Sequence, residues 1–359
     1  MKSVGHAWLG LMALERLRAP NKGYIAQDYA GYNLGRTFNP YFRKQAEKFV
    51  KFFDKHKDAF VQGAWFPDSV ISDNLAGGHT YKIKPPTNAK ERGEAITIRN
   101  FTPSHLTSSN LIEEARFDEP VYIKHDYTLP DRCHALSEGI RDMIRIQRKV
   151  PKGSDILFND DQITTYFLML CHYVADAHVP PHCDARDFYT PSKIHPDMEK
   201  YWDDEIKKFF EFDKKRKVFD YDIGGAPELI EGAEFQGTLL DRVMNELGTR
   251  TWDPAKKSTL GKGNKKVYDY MKSICFVSYF LSKDFIPEMT QREYNALRVL
   301  EEPAYADNLT EISVPVLADA IDSIALVWLL TWDKYNKLDQ RSKKKSKEIK
   351  KKGGKLSRR

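Results

Sequence analysis

The chain has 359 residues, of which 41% are hydrophobic, 12% aromatic and 30% charged. That is enough apolar material for one large core or two smaller ones, and no uninterrupted run of roughly 18 apolar residues reads as a membrane-spanning helix. The formal charge of +6 is unevenly placed: residues 341–359 hold 11 Lys/Arg and one Glu, so the preceding body carries 46 basic and 50 acidic side chains, a net −4.

Along the chain, helical periodicity dominates. Trp8, Leu9, Met12, Ala13 and Leu17 recur at three- and four-residue steps and predict a helix over about 5–18. The start, Met-Lys-Ser-Val-Gly-His-Ala-Trp, is a poor export leader: His6 interrupts its apolar stretch, and Glu15-Arg16 follow without a cleavage site. The chain as it stands reads as cytoplasmic, or as secreted if a leader has been removed. A second helical pattern covers 40–60. Residues 80–130 are rich in Pro, Thr and Asn, and 94–99 alternate like a short strand, which predicts a long inserted loop with room for a hairpin. Helical patterns resume at 131–150, 160–178, 196–212, 226–248, 265–283 and 311–336. Breaks such as Pro151-Lys152-Gly153 and Gly224-Gly225 separate them. The apolar stretch at 324–332 reads as the buried stripe of a helix. The expected architecture is all-α: one helical domain over 1–340, with a division near 215–225 as the alternative, and a disordered Lys/Arg-rich tail over 341–359. Such a tail can contact an anionic membrane or nucleic acid, or only aid solubility.

Cys133, Cys171, Cys183 and Cys275 form no CxxC pair, so neither a disulfide framework nor a thiolate metal site is signalled. The histidines are more informative. His172, His178 and His182 fall within eleven residues beside Asp176 and Asp184, with His195 and Glu199 shortly after. The run from Ile163 to Asp176 is strongly apolar and stops before Pro180-Pro181, as a buried helix stopped by proline would. On it His172 and Asp176 stand at i and i+4, on one face. A carboxylate there is costly unless it is paired or metal-bound, and neutral imidazole with carboxylate is a zinc-ligand set. The proline break returns His182 from a loop, and His195-Pro-Asp-Met-Glu199 opens another helix with a second i, i+4 pair. The bland alternative is a core histidine pair with capping carboxylates; it accounts poorly for five such residues in one arrangement. Asp68 after Pro67, His79 after Gly77-Gly78, and His6 are weaker candidates taken singly. His178 turns away from the His172–Asp176 stripe and reads as a supporting or core residue.

In chain order, Gly5-His6, Pro67-Asp68, His79, the run CHYVADAHVPPH and the run HPDME resemble the three-zinc phosphodiesterase superfamily. It contains zinc-dependent bacterial phospholipases C and single-strand-specific zinc nucleases, and the resemblance covers roughly residues 1–215. It implies up to three Zn2+ per chain. Asp68, His79, His172 and Asp176 would hold the first, and His182, His195 and Glu199 the second. The third would take His6, a second oxygen of Asp176 and the chain's own N-terminus. Met1 stands where the family has tryptophan; an α-amino group, with a pKa of about 8, can still ligate near neutral pH. The Asp68–His79 spacing is shorter than is usual for the family.

The resemblance implies metal-assisted hydrolysis of a phosphodiester, with a water shared by two zinc ions and Asp68 orienting it or accepting its proton. Glu199 is similar to the phospholipase C branch, where the nucleases tend to have aspartate, and an acidic body is a poor nucleic-acid groove. The expected substrate is therefore a phospholipid or other phosphodiester. The alternatives are a nuclease or nucleotidase of the same superfamily, and a non-phospholipid phosphoesterase or binding protein.

Overall fold

The computed structural model describes residues 3–18, 40–56, 63–72, 77–97, 120–124, 127–151, 154, 158–213, 218–219, 230–249 and 266–356. Its elements run α1 (Ser3–Leu17), α2 (Pro40–Phe53), a π-helical turn (Pro67–Ile71), β1 (Ile83–Lys84), α3 (Ala89–Glu94), β2 (Ile96–Thr97), β3 (Pro120–Ile123), α4 (Leu129–Lys149), α5 (Asp160–Asp176), α6 (Pro180–Cys183), α7 (Ile194–Lys207), β4 (Phe212–Asp213), β5 (Val218–Phe219), α8 (Leu239–Thr249), α9 (Lys266–Phe285), α10 (Gln291–Ala296) and α11 (Pro303–Leu356). The fold is all-α, and the described residues include two small antiparallel sheets ordered β1-β3-β2 and β4-β5.

Two helices position everything else. In α5, Asn159 accepts from the Gln162 amide while the Gln162 side chain accepts from the Asn159 amide, a reciprocal cap that fixes its start. From Ile163 on it is almost wholly apolar and buried, so it can only be a central helix. The stretch of α11 from Pro303 to Asp333 is long and apolar enough to cross a membrane by length and composition, yet 94% of its apolar window is buried inside the protein. It packs against α1, α2, α4, α5, α8 and α9. Trp328 of α11 donates its indole N–H to the Phe167 carbonyl of α5. Arg16 of α1 bonds both Asp322 and the Leu247 carbonyl, tying α1, α8 and α11 together.

Several expectations are corrected. Helix 226–248 begins only at Leu239; Gly232 and Gly237, with φ of 77° and 79°, keep the described residues before it in turns. Helix 196–212 ends at Lys207, and Phe212–Asp213 is instead a strand paired with Val218–Phe219. The tail expected to be disordered continues α11 as helical backbone to Leu356. Lys, Arg, Gln and Glu are good helix formers, and no proline follows Pro315 to stop propagation from the buried part. The region 80–130 carries the three-stranded sheet, including β2 near the alternating segment; residues 98–119 lie outside the described set, as does most of the alternative boundary at 215–225.

One close approach bears on the site. A Cβ at Gly63 would stand 2.8 Å from Leu168 Cβ and 2.9 Å from the Thr165 carbonyl, so only glycine lets the 63–71 segment lie on α5. Gly63→Ala should cost about 1–3 kcal/mol by overpacking, read as a lower denaturation midpoint; an unchanged midpoint would contradict this packing.

Candidate metal centre

Three groups of ligand-type side chains meet at the C-terminal half of α5. They are His6, His172 and Asp176; Asp68, His79 and His172; and His182, His195 and Glu199, the candidate atoms of each group lying within 4.8 Å of one another. The structure thus brings together eight of the nine residues singled out in the sequence. Met1 lies outside the described residues. His178 is buried and belongs to none of these groups.

Each side chain arrives for a local reason. His172 and Asp176 are one turn apart on α5, and Asp176 Oδ2 lies 3.2 Å from His172 Nε2. The segment after Gly63 closes into Pro67–Ile71. It forms a π-helical turn in which Ser69 bonds back to the Trp65 carbonyl, presenting Asp68 Oδ1 3.5 Å from His172 Nε2 and 3.8 Å from His79 Nδ1. Gly77, at φ 75°, turns the chain into His79, whose Nδ1 lies 2.8 Å from Asp176 Oδ2. Pro180 and Pro181 open α6 and deliver His182. His195 and Glu199 share a face of α7 with Nε2···Oε1 at 2.8 Å, and His182 Nε2 sits 2.9 Å from His195 Nε2.

Hydrogen bonds on the outer side of two rings set how their inner nitrogens are presented. His172 Nδ1–H donates to the Ala64 carbonyl at 2.7 Å, and His182 Nδ1–H donates to the His79 carbonyl at 2.9 Å. In the neutral rings both Nε2 lone pairs are therefore aimed inward, the way metal-ligating histidines are held. Neither ring nitrogen of His6 makes a hydrogen bond, although the residue is fully buried; its Nε2 lies 3.4 Å from Asp176 Oδ1. Ligands about 2.1 Å from a tetrahedral ion are about 3.4 Å apart, close to the separations here. Buried imidazole lone pairs and carboxylates that converge in this way fit metal ions. Asp176 divides its oxygens, Oδ2 toward His79 and His172, Oδ1 toward His6 and His182.

The electrostatics have one charge to share. Burial opposes a charge on His172, but Asp176 and Asp68 overcome it and push its pKa up to about 10. Burial and that neighbouring charge hold His6, stacked on His172 at 3.8 Å, well below its usual value. Burial, resisted by Asp176 and Glu199, brings His182 down to about 4. Burial would raise Asp176, yet His172 and His182 keep it well below the carboxylate range. A proton on His172 thus stands in for positive charge that a cation would supply.

Asp203 escaped the sequence reading. It lies four residues beyond Glu199 on the same face of α7, is 2% exposed, and accepts the Gly5 amide at 2.9 Å. It therefore fixes the first turn of α1 and, through it, His6. The repeated i, i+4 spacing 195–199–203 was the available signal.

Comparison with family models, with curated proteins and with solved structures finds no match for this chain.

His172→Ala and Asp176→Ala should each lower bound metal, measured by elemental analysis of dialysed protein; unchanged content would contradict the assignment. Because His172 is protonated at neutral pH without a metal and must lose that proton to ligate, binding should release about one proton and tighten roughly tenfold per pH unit from 7 toward 10. Calorimetry in buffers of different ionisation enthalpy reads the proton count, and a count of zero contradicts the charge assignment.

Proposed function

We propose that this protein is a zinc-dependent phosphodiester hydrolase of the phospholipase C type. The observation that carries the reading is that buried Asp176 sets one oxygen toward His79 and His172 and the other toward His6, with the His182, His195 and Glu199 group beside them. A mixed imidazole and carboxylate set suits Zn2+. Asp68, His79, His172 and Asp176 would hold one ion, His182, His195 and Glu199 another, and His6 with Asp176 part of a third. When bound, such ions supply Lewis acidity that makes hydroxide available at neutral pH and withdraws charge from phosphoryl oxygens.

The chain's own residues do the rest. Ala64 and His79 lend backbone carbonyls that keep His172 and His182 in the ligating tautomer. Asp68 is the exposed edge of the cluster, its side chain 46% accessible against 2% for Asp176, so substrate reaches the site past Asp68. Burial would raise Asp68, but the adjacent His172 lowers it, so it stays ionised. It is thus placed to accept a hydrogen bond from the attacking water and orient it toward phosphorus. Val70 and Ile71 follow on the same turn and are 67% and 41% exposed, a greasy rim suited to acyl chains rather than to base stacking. The Lys/Arg-rich segment 341–359 adds attraction to an anionic lipid surface.

Purified protein should hydrolyse a chromogenic phosphodiester and phosphatidylcholine vesicles, lose both activities to EDTA and regain them with Zn2+. Cleavage of single-stranded DNA alone would remove the lipid reading in favour of a nuclease, and no EDTA-sensitive hydrolysis of any of the three would remove the enzyme reading. Asp68→Asn should lower kcat by on the order of a hundredfold or more.

A further inference from the structure

The segment 79–83 and the segment 182–185 run side by side. The Tyr81 amide donates to the His182 carbonyl at 3.0 Å, the Ala185 amide donates to the Ile83 carbonyl at 3.0 Å, and Ile83 bridges Asp184 in parallel. Lys82 sits in the middle of this zipper. Its Nζ donates to the Pro181 carbonyl at 2.7 Å, immediately before His182. The same Nζ lies 4.8 Å from the centre of the Tyr189 ring, and that ring meets the His195 ring edge-on, with centroids 4.5 Å apart. One side chain therefore touches the backbone that delivers His182 and the ring that packs His195. Burial, against the pull of Asp184, brings the Lys82 ammonium down to about 8, and charged or neutral it still donates. Packing alone does not call for a lysine at this half-buried position, since desolvating an amine is costly.

We propose that Lys82, acting through Pro181 and Tyr189, is the positioning residue of the His182–His195–Glu199 metal group, holding its two imidazoles at the separation a shared cation needs. This rests on reading those residues as a metal site and not on the reaction catalysed.

The test is titration of the metal-free full chain with Co2+, followed by its visible absorption. Lys82→Met keeps the length and removes the donor. It should weaken cobalt binding about 10- to 100-fold, as loss of a ligand-orienting partner does, and alter the visible band, while the melting temperature of the metal-free chain stays that of wild type. Lys82→Arg should restore part of the affinity. In a His195→Ala background, where the group is already incomplete, Lys82→Met should cause no further loss. Should Lys82→Met fail to fold, Tyr189→Leu reads the same coupling without removing the Lys82 donor and should weaken cobalt binding likewise. Wild-type cobalt affinity in Lys82→Met, or in Tyr189→Leu where that variant takes its place, overturns the positioning role while leaving the metal centre standing. An equal loss in the His195→Ala background overturns it too. A wild-type chain that binds no cobalt overturns the metal reading itself, and this inference with it.

Discussion

Asp176 is a carboxylate with 1% exposure at the end of a helix whose preceding three turns are nearly all apolar. Leaving such a charge unanswered costs several kcal/mol, so whatever surrounds it must supply positive charge or protons. The surroundings are four histidines: His79 and His172 on Oδ2, His6 and His182 on Oδ1. Without a cation one proton on His172 does this, and it does so only because two carboxylates outweigh burial. The rest of the architecture serves to bring those imidazoles in from α1, the Gly77 turn, α5 and α6, which explains why elements distant in sequence converge on one turn of one helix.

That convergence depends on backbone as much as on side chains. The Ala64 and His79 carbonyls each select a tautomer, and each belongs to a segment that also contributes a ligand-type side chain. The 79–83 segment is bonded to 182–185, so His79 and His182 are held relative to each other by main-chain hydrogen bonds. Asp203 performs the matching task for α1. Each tie leaves few degrees of freedom to the ligand atoms, the condition for a preorganised site.

The accessible side of the cluster has its own character. Asp68 is half exposed while its partners are buried, and the two residues beyond Ser69 are exposed aliphatics. An ionised carboxylate beside Val70 and Ile71 makes a boundary between polar chemistry and apolar surface.

Period and punctuation in the sequence sufficed for the all-α class, for the placing of helices such as 160–176, and for the i, i+4 pairing of His172 with Asp176 and of His195 with Glu199, because these are local consequences of helix geometry. They also pointed to the helix at the start of the chain. Local pattern gave no access to the strand pairing of 212–213 with 218–219, the helical backbone of the basic tail, or the roles of Asp203 and Lys82. Asp203 and Lys82 bond partners 198 and 99 residues away, at Gly5 and Pro181, and the tail's helix is propagated from a buried part of the same helix. Which oxygen of Asp176 faces which histidine, and which nitrogen of each ring is left bare, was decided only by the packing of α1, α5, α6 and the 63–83 segments, since tautomer and orientation are set by hydrogen bonds that exist only once the chain has closed on itself.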